Sequence, residues 1–225
     1  MENTLKELDI YQNGEIYIQS FSSMLPPIIL DPKPKENILD MCAAPGGKTT
    51  QLAAISGNKA YITACERNPI RSEKLKYNIE RQGAKGISVI IKDARELDDF
   101  LKFDKILLDA PCSGSGTLYL EDKEIDKTFT EELIKKSVRR QISLIKKAIR
   151  LLKPGGELVY STCSILKEEN ENVVKQILDN NVQVIPIELD DTIPYLHTTI
   201  DGTVCVMPTK VFEGFFVAKI KKLNL

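Results

Sequence analysis

The chain has 225 residues, of which 42% are hydrophobic and 28% charged, and its formal net charge is −1. This composition is typical of one soluble globular domain and argues against two large domains or a strongly basic nucleic-acid binder. No apolar run approaches the roughly 20 residues of a membrane helix, and the N-terminus lacks the pattern of a signal peptide. We therefore expect a cytoplasmic protein with no membrane partner.

Predicted strands and helices alternate along the chain. The first are a strand at 14–19, a helix at 22–30 interrupted by Pro26 and Pro27, a strand at 37–41, a helix at 46–56 and a strand at 60–66. A helix at 69–82 capped by Asn68, strands at 87–93 and 103–109, and a long helix at 131–152 stopped by Pro154-Gly155-Gly156 follow. The last are a strand at 157–162, a helix at 168–179 and strands at 182–188 and 214–220, with residues 189–212 predicted as an irregular loop over the sheet edge. The alternation indicates βαβ units and a mostly parallel sheet.

A glycine-rich loop, DMCAAPGGKTT at 40–50, joins the strand at 37–41 to the next helix. Backbone N–H groups and a helix N-terminus at this point suit a negatively charged or carboxylate-bearing ligand. A triphosphate-binding loop is disfavoured, because it needs glycine where Cys42 stands. Glu66, after the next strand, is placed to accept hydrogen bonds from ribose hydroxyls. The loop and Glu66 together predict a nucleotide-like cofactor, a pattern that dehydrogenases and methyltransferases share.

Five cysteines stand at 42, 65, 112, 163 and 205, with no CxxC pair and a single histidine, His197. This pattern predicts reduced thiols, with neither a disulfide framework nor a metal site. Cys112 and Cys163 each follow a predicted strand, at the sheet edge where open α/β proteins bind ligands. Their pairing beside a cofactor loop predicts a thiol nucleophile, whereas the other three cysteines are predicted core residues.

Three segments carry a family resemblance: DMCAAPGGKTTQLA at 40–53, DAPCSGSGT at 109–117 and YSTCSILKEENENVV at 160–174. They resemble the Nol1/Nop2/Sun (RsmB-like) RNA 5-methylcytidine methyltransferases, and the similarity covers about residues 14–221. It implies an S-adenosylmethionine-dependent catalytic domain at 14–225, preceded by an extension at 1–13. The implied fold is α/β, a Rossmann-like class I methyltransferase with a mostly parallel seven-stranded sheet, helices on both faces and an antiparallel last strand.

The resemblance also implies residue roles. Cys163 would be the nucleophile that adds to carbon 6 of cytosine, Cys112 would assist release of the methylated RNA, and Asp109 and Lys48 would complete the reaction pocket. S-adenosylmethionine contacts would fall, without a metal, on Cys42, Ala43, Ala44, Pro45, Gly46, Gly47, Lys48, Glu66, Arg71, Asp93 and Asp109. Two positions depart from the family pattern, because Ser20 replaces a frequent Asp and Thr209 a frequent His, and no role is carried onto either.

The predicted substrate is tRNA or rRNA, and the chain is expected to be a monomer. Because the resemblance covers only a catalytic core, recognition is expected to need the core surface, a structured RNA or a protein partner. The acid-free basic run at 134–153 is either a solvated helix face or a phosphate-facing surface. Two alternatives stay open: a DNA cytosine-5 methyltransferase with Cys112 as nucleophile, and a cofactor-binding RNA assembly factor without turnover.

Overall fold

The computed structural model describes residues 2–118 and 129–224. Its helices are Glu2–Lys6 (α1), Asp9–Gln12 (α2), Phe21–Leu30 (α3), Gly47–Ile55 (α4), Pro69–Arg81 (α5), Glu131–Leu151 (α6) and Glu171–Val174 (α7). Its strands are Asn37–Asp40 (β1), Tyr61–Cys65 (β2), Ile87–Ile90 (β3), Phe103–Asp109 (β4), Leu152–Thr162 (β5), Val182–Ile185 (β6), Tyr195–Leu196 (β7), Val204–Val206 (β8) and Phe215–Lys222 (β9). Single turns of 3₁₀ helix lie at Ala94–Glu96, Ser115–Thr117 and Lys175–Ile177.

The strands form one sheet in the order β3-β2-β1-β4-β5-β9-β8-β7, with β6 also paired to β9. Strands β1 to β5 pair in parallel, and β9 is antiparallel to β5, β6 and β8. The mostly parallel sheet with an antiparallel last strand is therefore confirmed. The expected number of seven strands is wrong for the described residues, because β7 and β8 add two short strands within the predicted loop at 189–212. All three residues of β8 are buried, so its side chains extend the core.

Helices cover both faces of the sheet because successive side chains of a strand point to opposite sides. On one face, Leu108 of β4 belongs to a buried cluster that includes Leu144 of α6. On the other face, Leu107 belongs to a cluster with Leu25 of α3 and Leu52 of α4. Each of these five side chains is less than a tenth exposed. The prediction of helices on both faces is confirmed.

The predicted strand at 14–19 is wrong, because this segment begins as a turn, continues as irregular chain and pairs with no strand of the described residues. It lies across the helices instead: Gln82 donates a hydrogen bond to the Ile16 carbonyl, and Gln19 donates one to Gln51. A Cβ added at Gly47 would lie 2.6 Å from Tyr17 Cε1, so the segment packs directly on the start of α4. Side-chain contacts from α4 and α5 thus take the place of a strand partner.

The prolines of α3 do not interrupt it. Pro26 and Pro27 lie inside one continuous helix, both buried, and α3 ends at Asp31 with a φ of 51°. Each proline lacks an N–H group, so two helix hydrogen bonds are lost. The two rings are nevertheless buried, and the helix is continuous through both positions.

Pro154-Gly155-Gly156 does not separate helix from strand as predicted. The long helix ends at Leu151, and β5 begins at the next residue. The pairing with β4 shifts register between Phe103 and Lys105, where β5 accommodates the three residues as a bulge. The positive φ of Gly155, 76°, allows this detour.

The predicted helix at 168–179 is reduced to α7 and one 3₁₀ turn. Asn170 explains the late start, because its side chain accepts a hydrogen bond from Thr162 and donates one to the Ser164 carbonyl. Elsewhere the capping prediction is confirmed: Asn68 Oδ1 accepts from the N–H groups of Ile70 and Arg71 at the start of α5.

The first twelve residues include α1 and α2, and Arg81 of α5 lies over the Tyr11 ring, with Cζ 4.0 Å from its centroid. A separate extension at 1–13 stays a prediction. Among the residues that the structure describes, no helix is long and apolar enough to cross a membrane.

Candidate active site

The carboxyl ends of the parallel strands bring the three sequence motifs together. In the sheet register, Asp40 of β1 lies opposite Ala64 of β2 and Leu107 of β4, and Asp109 lies opposite Ser161 of β5. The loops that leave these strands therefore start at one edge of the sheet, which is the ligand-binding edge of open α/β folds.

The two motif cysteines form a close thiol pair. Cys112 Sγ lies 3.0 Å from Cys163 Sγ, and both residues are partly buried. A hydrogen bond from Cys112 lowers the pKa of Cys163, and the bond to Cys163, together with burial, raises the pKa of Cys112. The pair therefore favours a thiolate on Cys163 and a proton on Cys112. The role of Cys163 as nucleophile stays a prediction.

A lysine–carboxylate pair lies beside the thiols. Lys48 Nζ is 2.8 Å from Asp109 Oδ2 and donates a hydrogen bond of 2.6 Å to Ser23 Oγ. Ser161 Oγ donates to the other oxygen of Asp109 at 2.8 Å. Lys48 lowers and Asp109 raises the pKa of Cys163, so both charges act on the sulfur. The predicted reaction-pocket residues Lys48, Asp109, Cys112 and Cys163 thus lie at one place.

A buried glutamate fixes the loop that carries Cys112. Glu169, with none of its surface exposed, accepts hydrogen bonds from Ser113 N at 2.8 Å and from Ser113 Oγ at 2.5 Å. Gln141 Nε2 of α6 donates to the Pro111 carbonyl at 3.0 Å and also to Glu169 at 3.3 Å. The residues on both sides of Cys112 are therefore held by side chains from other elements.

Backbone bonds join the two cysteine loops to the start of β9. Gly116 N donates to the Cys163 carbonyl at 3.0 Å, and Gly214 N donates to the Gly116 carbonyl at 2.9 Å. A Cβ added at Gly116 would lie 1.9 Å from the Gly214 oxygen, so only glycine permits this approach.

Two cavities adjoin the glycine loop and share Cys42. The first is also lined by Glu66, Arg71, Asp93 and Arg140. The second is lined by Asp40, Cys42, Ala43, Ala44, Pro45, Gly47, Lys48 and Asp109 together with Tyr17, Ile18, Gln19 and Ser23. Every predicted cofactor residue except Gly46 lines one of the two. Gly46 instead caps α4 with a φ of 113°.

We call the two cavities together the groove. The carboxylates that line it differ in burial and in pKa. Glu66, only 4% exposed, accepts from Asn68 N at 2.8 Å and lies 3.4 Å from Arg71 Nη1. Hydrogen bonds from Arg95 lower the pKa of Asp93 to about 2, against the effect of partial burial. Burial raises the pKa of Asp40 to about 6, and Asp40 Oδ1 has no hydrogen-bond partner within the described structure.

This groove fits S-adenosylmethionine. Glu66 offers a buried acceptor for ribose hydroxyls, and Asp93 closes the same cavity. Asp40 and Asp109 face the second cavity, where carboxylates suit the positive amino and sulfonium groups of that cofactor. In the described part of the chain, no cluster of three His, Cys, Asp or Glu side chains could hold a metal ion.

Comparison with known proteins places this arrangement in a family. Residues 27–221 match the family described as 16S rRNA methyltransferase RsmB/F. The chain belongs to the RsmB/F family. It is 40% identical to a ribosomal RNA small subunit methyltransferase F of Shewanella piezotolerans, over 99% of this chain and 48% of that protein.

A second RsmB/F-like relative comes from Pyrococcus horikoshii. A tRNA (cytosine(72)-C(5))-methyltransferase of that organism is 37% identical over 98% of this chain and 56% of its own length. The solved structure of NSun6 from Pyrococcus horikoshii with SFG has a TM-score of 0.85 at 36% identity, covering 98% of this chain and 56% of that one. The predicted family and the Rossmann-like methyltransferase fold are thus confirmed, and the chain spans about half the length of these relatives.

Within this RsmB/F site, sequence reasoning missed four residues: Asp40, Ser23, Glu169 and Arg140. Asp40 ends β1 directly before the glycine loop, so its position gave a usable signal. Arg140 belongs to the basic run at 134–153, but it is half-buried in the wall of the first cavity, where burial lowers its pKa. Ser23 and Glu169 reach the site from distant segments, and their partners cannot be read from spacing.

The three cysteines assigned to the core have different surroundings. Burial raises the pKa of Cys65 to about 12 and that of Cys205 to about 11, which keeps both thiols neutral. Cys65, although fully buried, also borders the first cavity, whereas Cys42 is only partly buried and lines both cavities. The core assignment is therefore confirmed for Cys65 and Cys205, and Cys42 belongs to the groove.

Proposed function

We propose that this chain methylates carbon 5 of cytidine in RNA, with S-adenosylmethionine as methyl donor and Cys163 as covalent nucleophile. The observation that carries the proposal is the Cys112–Cys163 thiol pair, which lies close enough to Lys48 and Asp109 for both charges to act on Cys163, while Lys48 and Asp109 line the second cavity. Membership of the RsmB/F family and the named activities of the relatives support an RNA substrate, tRNA or rRNA.

The thiolate of Cys163 starts the reaction. Carbon 5 of cytosine is a weak nucleophile, and addition of Cys163 Sγ to carbon 6 makes the ring enamine-like. Bound S-adenosylmethionine supplies the electrophilic methyl group on its sulfonium. Asp109, held by Ser161 and Lys48, would hydrogen-bond the N3 edge of the ring and stabilise the charge that develops there. The target base must leave any stack to reach these groups.

Cys112 would act at the end of the reaction. Once carbon 5 carries the methyl group, solvent water takes the carbon 5 proton, the electrons of that C–H bond re-form the ring double bond, and the Cys163–carbon 6 bond breaks. The sulfur of Cys163 then leaves as a thiolate, and the Cys112 thiol, whose sulfur lies 3.0 Å away in the structure, would stabilise it by donating a hydrogen bond. A hydrogen bond that stabilises the Cys163 thiolate before attack therefore also stabilises it as the leaving group. Without Cys112, the covalent protein–RNA adduct should form but break down slowly.

Trapping of the covalent adduct tests the proposal. Parent, Cys112→Ala and Cys163→Ala proteins are incubated with cofactor and cellular RNA, and denaturation-resistant protein–RNA bands are recorded. We expect a band for Cys112→Ala and none for Cys163→Ala, with Cys205→Ala behaving as the parent because Cys205 is buried away from the pair. The opposite pattern would make Cys112 the nucleophile, as in the DNA-type alternative. No methyl transfer by the parent to any RNA would favour the assembly-factor alternative.

Cofactor binding has its own test. Calorimetry should show S-adenosylmethionine binding that survives a chelator and weakens in Glu66→Ala, because a buried acceptor for the ribose is lost. Glu73→Ala, a change of an exposed glutamate on α5, should bind as the parent does. Equal affinities in the two variants would remove Glu66 from the ribose-binding role.

A further inference from the structure

An exposed aromatic pair lies outside the groove. The rings of Phe21 and Phe212 have centroids 6.0 Å apart at an interplanar angle of 51°. Phe21 is 58% exposed, and so is the neighbouring Val211. Phe212 is partly buried against the core, which fixes one ring of the pair in place. Exposed apolar groups that cluster are typical of binding surfaces, unlike single scattered ones.

A structured turn presents a lysine next to this pair. Thr209 Oγ1 accepts hydrogen bonds from the N–H groups of Val211 and Phe212, and Thr209 N donates to the Phe212 carbonyl. Lys210 lies at the exposed part of this turn. No acidic group within the described residues forms a salt bridge with Lys210, so its charge is available to an anionic partner.

Short contacts connect the aromatic pair to the reaction centre. Ser20 Oγ and Ser22 Oγ each donate a 2.7 Å hydrogen bond to Glu213, one to its side chain and one to its carbonyl. Ser23, two residues after Phe21, accepts from Lys48. The pair is therefore held against the elements that carry the catalytic lysine.

The other ring is connected to the nucleophile. Phe212 stands two residues before Gly214, whose N–H binds Gly116, and Gly116 N in turn binds the Cys163 carbonyl. Phe212 and Cys163 also pack against the same buried cluster. The exposed pair is therefore linked by direct backbone contacts and a shared buried cluster to the loop of the proposed nucleophile.

We propose that Phe21, Phe212 and Lys210 form a stacking platform for a nucleotide that flanks the target cytidine. The inference rests on the proposed function, since extraction of a base leaves its neighbours without their stacking partner. Aromatic side chains replace that stacking, and a nearby lysine contacts the backbone phosphate, a combination that binds single-stranded nucleic acid. A chain of net charge −1 cannot rely on an overall basic surface, so affinity must come from such local groups.

The test compares substitutions at exposed phenylalanines. The probes are short oligocytidylates, one of them carrying a fluorescent purine analogue, and binding is followed by anisotropy and by quenching of the analogue. Phe21→Ala should weaken binding by about 5- to 150-fold, the range that stacking of one base gives, and reduce quenching. Phe21→Tyr should restore both signals, whereas Phe100→Ala, which removes a 92% exposed ring on the distant β3–β4 connection, should change neither.

The role of Lys210 is tested by the salt dependence of binding. Lys210→Ala should weaken oligocytidylate binding and reduce its dependence on salt, because one phosphate contact is lost. Unchanged affinity in Phe21→Ala, or no oligocytidylate binding by the parent, would overturn the platform and point to a protein or a second copy of the chain as its occupant. Methyl transfer by the parent to cellular RNA is measured alongside, so failure of the platform and failure of the proposed function are told apart.

Discussion

Removal of the Glu169 side chain should destabilise the protein strongly, because this glutamate is fully buried. Glu169 accepts hydrogen bonds from Ser113 N, Ser113 Oγ and Gln141 Nε2. The residue itself has no exposed surface. Each buried donor left without a partner costs about 1–3 kcal/mol. Because water can enter the space that Glu169→Ala opens, we expect the low end for each donor and a total loss of about 3 kcal/mol.

Chemical denaturation measures this loss directly, and Glu168→Ala is the matched control. Glu168 is exposed and adjacent, so its removal should change the free energy of unfolding by no more than about 0.5 kcal/mol. A double-mutant cycle with Ser113→Ala isolates the contact, since that change should cost little once Glu169 is gone. Equal stabilities of Glu168→Ala and Glu169→Ala, or fully additive losses in the cycle, would refute the reasoning.

Three further outcomes follow from the site. Cys112→Ala should raise the pH at which Cys163 becomes reactive toward iodoacetamide, measured by peptide mass spectrometry, whereas Cys112→Ser keeps a donor and should raise it less; an unchanged profile would contradict the thiol hydrogen bond. The pKa of Asp40 lies at about 6 in the fold against 3.8 unfolded, so the native state holds the extra proton and loses stability as pH rises through this window. The free energy of unfolding of Asp40→Asn, relative to that of the parent, should therefore rise by up to about 3 kcal/mol from acidic to neutral pH. Parallel curves of unfolding free energy against pH for the two proteins would contradict this prediction. Gly116→Ala places a Cβ 1.9 Å from the Gly214 oxygen and should lower the melting temperature clearly, a result that an unaltered melting curve would disprove.

The parts of the fold that could be predicted are those in which local sequence and tertiary packing agree. Asn68 and Pro69 specify the start of α5 by their own chemistry, and the apolar run of β4 is buried over its centre. The segment at 14–19 has the alternating pattern of a strand but finds α4 and α5 as neighbours, and no local signal reveals that. The bulge around Pro154 likewise depends on the register that β4 imposes on β5.

The residues of the site likewise fall into those that could be predicted from the sequence and those that could not. Residues directly after strand ends, such as Cys112, Cys163 and Asp109, could be assigned because parallel topology forces them to one edge. Glu169 could not, because the sequence around it predicts only a helix at 168–179, and the folded chain alone brings this side chain to the Cys112 loop. Whether a charged side chain is buried depends on partners far away in sequence, and single-sequence reasoning has no access to them.

The position of β9 has a consequence for how the protein is made. This strand comes after every other strand in the chain, yet it lies between β5 on one side and β6 and β8 on the other. During synthesis, β7 and β8 can pair with each other, but β6, β8 and the open edge of β5 lack their β9 partner until residues 215–222 have left the ribosome. Gly214, which closes the contact with Gly116, arrives in the same interval. A nascent chain that stalls before this point exposes an open sheet edge, prone to aggregation, and has an unfinished thiol pocket.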